Sequence, residues 1–269
     1  MKLRVLTAAL FGVCLIAPAM AAGKPVDARL AQAKREFAAM KASDVAAAPT
    51  PTATTGDPDS FGRAVKFLGL MTSGVVQMAA DCTPDPDFPP GPDDHCYNPN
   101  PTVGAETVVT YNDIGRMLIP GKSANSVFCH WQSPSSAFIF HNSTGATVTN
   151  ARFAVSTTYT IENSVLNDPA LIDPNTGLPF NGKFTVTISA IRDERNLQPG
   201  EVHVGRALDS RVCVNGIVSK NSLVNGYGLS AAQATNFFKN DTIITLGMTV
   251  RSRHVDDSSV IVSTRIVGD

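Results

Sequence analysis

Beyond its first two dozen residues, the 269-residue chain has no apolar run long enough to cross a bilayer, which takes roughly 20 residues. The mature protein is therefore expected to lack a membrane span. Basic charge is not in excess either: 22 Lys and Arg stand against 23 Asp and Glu. That balance gives no basic footprint for nucleic acid and no polybasic membrane anchor. The catalytic and cofactor signatures are missing as well. There is no H-E-x-x-H, no G-x-S-x-G elbow, no S-x-x-K, no P-loop and no G-x-G-x-x-G cradle. No cysteine pair has the C-x-x-C spacing of a zinc site. No repeat of solenoid or propeller period is present. Tryptophan occurs once, as Trp131. No cofactor is expected.

What is present begins with an export signal. Lys2 and Arg4 precede an apolar run from Leu6 to Ile16. Pro18 ends it, and Ala19-Met20-Ala21 supplies the small residues of a cleavage site. This is the secretory signal-peptide pattern, with cleavage after Ala21 or Ala22. The run is too short for an anchor, and Cys14, behind the bulky Val13, does not suit lipid attachment. Cleavage removes Lys2 and Arg4 and leaves a formal charge of −3. The expected location is periplasmic or extracellular.

Cys14 leaves with the signal, so four cysteines remain: Cys82, Cys96, Cys129 and Cys213. An even count in an exported chain reads as two disulfides. Of three connectivities the favoured one is Cys82–Cys96 with Cys129–Cys213. The first closes a loop too rich in Pro and Asp to hold itself together. Each bridge contributes roughly 3–5 kcal/mol on the chain-entropy argument.

The chain divides into a signal (1–21), a helical arm (22–43), an Ala/Pro/Thr linker (44–58) and a β domain (59–269). In the arm, Val26, Leu30, Ala33, Phe37 and Met40 recur at steps of four and three and mark one helix face over 24–43. The linker has almost nothing to bury and reads as an extended spacer, so the arm is expected to be a separate unit that docks on its own domain or on a partner. In the β domain, apolar and polar residues alternate over 152–161, 183–191, 242–252 and 259–267. In 183–191 the inward set reads as Phe184, Val186, Ile188 and Ala190. Such alternation gives one buried and one wet face, as in an antiparallel sheet. Further strands are expected at 63–71, 74–80, 104–111, 126–131, 136–142, 201–206 and 212–219. The pair 126–131 and 136–142 reads as a hairpin with Cys129 and Trp131 on its core face. Ser230-x-x-Gln233 is a capping box that opens one inserted helix to Lys239, anchored by Phe237 and Phe238. The fold class is an all-β antiparallel sandwich, jelly-roll or Ig-like, with one short inserted helix and an N-terminal helical arm.

Candidate sites are sparse. The loop 81–96 crowds Asp81, Asp85, Asp87, Asp93 and Asp94 among five prolines. Hard cations take clustered carboxylates, which makes Asp85, Asp87, Asp93 and Asp94 the Ca²⁺ candidates. The spacing matches no EF-hand, and a stiff solvated loop is the favoured reading. As a contact surface the loop would present Asp85, Asp87, Phe88, Asp93, Asp94 and His95. In 162–182, Asp168, Asp173, Asn175 and Gly177 read as turn chemistry rather than a cation loop. The five histidines, His95, His130, His141, His203 and His254, read as ordinary strand or surface residues, with His130 and His141 on opposite strand faces. Asn142 and Asn240 fit the glycosylation sequon. These features favour an exported, non-catalytic binding or structural module with a protein or glycan partner. The alternatives are a secreted hydrolase with dispersed catalytic residues and a subunit of a surface assembly.

Overall fold

The computed structural model describes residues 26–47, 66–84, 90, 91, 93–208, 211, 212 and 217–269. The signal, most of the linker, Asp85, Asp87, Phe88 and Cys213 lie outside them.

Two sheets of antiparallel strands face each other as an all-β sandwich. The second, four-stranded sheet is the more regular. It is built from β4 (Thr107–Ile119), β6 (Val148–Asn163), β7 (Lys183–Leu197) and β11 (Thr242–Arg253), in the order β4-β11-β6-β7. The alternation read from 152–161 is carried by β6, whose residues Ala151, Phe153, Val155, Thr157, Tyr159 and Ile161 are all buried. In β7 the expected inward set holds only in part. A bulge leaves Ile188 unpaired between Thr187 and Ser189, and an extra residue moves every later side chain to the other face. Ser189 and Ile191 are therefore buried and Ala190 is exposed, while Ile188 at the bulge still packs against the core.

The first sheet centres on two long strands, β5 (Val127–His141) and β12 (Val255–Gly268). Beyond β12 lie β1 (Lys66–Thr72) and β2 (Val76–Met78), and β3 (His95–Tyr97) pairs in parallel with β2. Beyond β5 lie β8 (Val202–Leu208), β9 (Arg211–Val212) and β10 (Val218–Ser219).

The expected hairpin at 126–142 is instead the single strand β5, which runs straight through Pro134. Its pairing explains why a proline is tolerated mid-strand. Val262 lies opposite Pro134, yet the N–H and C=O of Val262 both bond to Ser73 on the far side. Pro134 and Val262 are thus a non-hydrogen-bonded pair, and the missing N–H of Pro134 points towards β8 and β9. There Leu208 lies opposite Ser135 and Arg211 opposite Gln132, and the two residues between them, 209 and 210, lie outside the described ones. On the β12 side no ladder bond is lost.

An unbroken β5 puts even-numbered residues on one face and odd-numbered ones on the other. The even set, Phe128, His130, Gln132, Ser136, Phe138 and Phe140, is buried in the sandwich. Phe138 stacks on Phe153 of the opposite sheet at 4.4 Å. The core-face expectation for Trp131 is therefore corrected: Trp131 points outwards and is 51% exposed.

Helix α1 (Val26–Ala47) covers the arm and continues through 44–47, the first part of the expected linker. Ala33 and Phe37 are buried, with Leu30 and Met40 beside them, against Ala137 and Ile139 of β5 and Val202 and Val204 of β8. The arm thus docks on the outer face of its own domain. Two short helices, not one, are inserted before β11. The expected one is α3 (Ala231–Lys239), and both bonds of its Ser230–Gln233 capping box form. The other, α2 (Lys220–Asn225), is capped by Ser219 and Ser222 and begins directly after the strand expected at 212–219, whose described ends lie in β9 and β10.

Candidate functional site

Three places bring chemistry-bearing side chains together. The deepest in the core is a polar layer between the sheets. Gln132 Oε1 accepts hydrogen bonds from Thr157 (2.8 Å) and Ser189 (2.9 Å). Its Nε2 donates to the Tyr159 hydroxyl at 3.2 Å, which donates to Thr264 at 2.8 Å. All five are buried, and each of these bonds crosses between the sheets. His130 meets the Tyr159 ring edge-on at 5.6 Å. Burial lowers its pKa to about 4, because the charged imidazolium loses its hydration. The layer is closed to solvent and does the work of registration, not of chemistry on a substrate.

The second place is a cleft of about 240 Å³ at the corner where β11 crosses to β12. Loop 99–105, His141, Ser143, residues 252 and 254–256, and Lys34 of α1 form its walls. His254 makes the turn with φ +54°, a left-handed conformation uncommon outside glycine. A bulge between Val255 and Asp257 gives Asp256 no partner on β5. It turns to His141, whose Nδ1 is 3.1 Å from the Asp256 carboxylate. The His141 side chain is only 11% exposed. This is the base-and-orienter half of a triad. The nucleophile half is not assembled: His141 Nε2 is buried and has no hydrogen-bond partner among the described residues. Ser252 points instead at the Met78 sulfur, 3.1 Å away.

The third place is the outer face of the first sheet beyond α1. Trp131 stands there directly opposite Arg265, whose guanidinium lies 5.7 Å from the Phe67 ring. Leu208, opposite Ser135 on the same face, is 67% exposed. An indole and an aliphatic side chain on a sheet surface, with a cation alongside, suit contact with a partner.

The expected acidic loop is described in part. Cys82 and Cys96 are bonded as expected. Both oxygens of Asp94 are engaged by backbone amides, from Val75 at 2.6 Å and Gly91 at 2.8 Å. That carboxylate folds the loop, and His95 stacks on Tyr111 at 4.5 Å. No group of three or more His, Cys, Asp or Glu suited to a metal occurs among the described residues. Asp173 accepts from the Asn175 amide and its carbonyl accepts from Gly177, closing a turn. Cys129 is also disulfide-bonded. Its expected partner, Cys213, lies outside the described residues. Asn142 is fully buried, and its amide group bonds the carbonyls of Ala146, Leu197 and Gln198. That sequon is closed within the fold.

The sequence contained the His141–Asp256 pair, but only as residues 115 apart. The bulge that aims Asp256 carries no signature of its own.

No family model matches the chain, and no curated protein matches it. Among solved structures, similarity is found to the infectious bursal disease virus particle at 11% identity and a TM-score of 0.15, covering 80% of this chain and 56% of that one. The VP2 subviral particle of the same virus gives 13% identity and a TM-score of 0.16, covering 80% and 54%. The chain thus spans about half the length of the chains it matches. At these scores the likeness carries no argument.

Proposed function

We propose that this is an exported, non-catalytic binding module that meets its partner with the outer face of the first sheet around Trp131. The observation that carries the reading is the placement of the chain's one tryptophan. It is half exposed on a strand whose other face supplies the core. The Cys82–Cys96 bond fits an oxidising compartment. No helix among the described residues is long and apolar enough to cross a membrane. The test is an array of glycans and envelope proteins probed with the oxidised protein and with Trp131→Ala. Binding that falls at least tenfold in the variant supports the proposal. An unchanged binding profile contradicts it.

The His141–Asp256 pair favours a second reading, a hydrolase that works in the corner cleft. Turnover of ester, glycoside or peptide substrates that vanishes in His141→Ala would establish it. Absence of turnover in the unaltered protein removes it.

A further inference from the structure

The helix α1 and Trp131 share one face of one strand. Ala137 and Ile139, which α1 covers, stand six and eight residues beyond Trp131 on the odd-numbered face of β5. Val202 and Val204 extend the covered part onto β8, and Leu208 leads back towards the open part. The face is therefore continuous: α1 covers one half and leaves the other exposed.

The attachment of α1 is light. Its contact forms an apolar cluster of its own, and the main core includes no α1 residue. Among the described residues its ion pair is that of Lys34 with Asp257 at 3.6 Å, with Lys34 itself 48% exposed. The 18 residues from 48 to 65 separate it from β1. A tether of that length holds a docked segment at an effective concentration of order millimolar. A competitor of higher affinity displaces a segment held this way.

We infer that the Ala137, Ile139, Val202 and Val204 surface is a helix-binding groove that α1 fills by default, and that an amphipathic helix of a partner protein takes its place. This rests on the reading of the Trp131 face as the binding face, and it names the partner class and the built-in competitor. The groove specifies the partner by what α1 presents: a small residue and an aromatic four apart, like Ala33 and Phe37. Apolar neighbours flank them, like Leu30 and Met40, with a cation placed to meet Asp257. Such spacing is how a helix addresses a groove. Displacing α1 uncovers the rest of this face and removes Lys34 from the corner cleft.

The experiment uses the full mature chain carrying Phe37→Asp, which loosens its own helix, and a labelled peptide of residues 26–47. Fluorescence anisotropy should show saturable binding to the Phe37→Asp chain and at least tenfold weaker apparent binding to the unaltered chain. Adding Val204→Asp, on the edge strand β8, should abolish it while the circular dichroism of the sandwich stays unchanged. No binding to the Phe37→Asp chain, or equal binding to both chains, overturns the inference. Trp131→Ala in the Phe37→Asp background separates the two claims. The peptide should still bind there, since the array tests the Trp131 face and the peptide tests the groove.

Discussion

Single residues hold the sandwich together in ways that a substitution exposes. Gly205 lies opposite Phe138, and a Cβ there would sit 2.1 Å from the Phe138 ring. That ring is fixed by its stack on Phe153, so it has nowhere to move. Gly205→Ala should destabilise by about 1–3 kcal/mol, the usual range for overpacking, read as a lower urea midpoint at constant slope. Gln132→Leu should cost about 2–4 kcal/mol, because it strips partners from the buried hydroxyls of Thr157, Ser189 and Tyr159. His130 links stability to pH. Its pKa falls from 6.5 to about 4 on folding, so between these values the unfolded chain takes up a proton that the folded one refuses. Its contribution is complete above pH 6.5, falls as pH drops to about 4, and is constant below. Urea unfolding at pH 7, 5.5 and 4 should show a loss that is smaller in His130→Phe than in the unaltered protein. Equal losses would remove His130 as the cause.

At the scale of elements, what was legible depended on whether local pattern and tertiary pairing agreed. The strand at 152–161 and the helix capped by Ser230 were readable because alternation and capping are local rules. Ser230→Ala should lower stability by about 1 kcal/mol, measured by thermal unfolding. β5 was misread because Ser133-Pro134-Ser135 is a turn signal unless the proline falls at a non-hydrogen-bonded position of its pair, as Pro134 does opposite Val262. That pairing resides in β12, far along the chain. β5 also hid the position of Trp131. Both of its faces carry apolar residues, one set for the core and one for α1, and composition alone does not say which is which. The bulge at Ile188 left no local trace either. α2 escaped notice because its capping box has Ser222 where Glu or Gln is usual. Helix α1 should be the least protected element. Burial of Phe37, Ala33 and parts of Leu30 and Met40 contributes roughly 3–5 kcal/mol before ordering is subtracted. Hydrogen exchange should therefore reach the α1 amides long before those of β11, which pairs with β6 along its whole length. Equal protection would mean that α1 belongs to the cooperative core.

The whole molecule is a sandwich whose interior is complete without its N-terminal helix, and whose outer sheet face is half covered by it. Fold class, the first disulfide and the arm's apolar stripe were readable from residue types at regular spacing. The two candidate sites were not, because each is made by a residue turned to an unforeseen side: Trp131 by the continuity of β5, and Asp256 by the bulge in β12. The placement of Trp131 outside the core is the claim on which the functional reading stands. The signal lacks tryptophan, so the native protein holds a single indole. Acrylamide quenching of its emission tests that claim most directly. A half-exposed Trp131 should be quenched at a large fraction of the rate seen in the urea-unfolded chain. Strong protection, like that of a core tryptophan, would contradict the account.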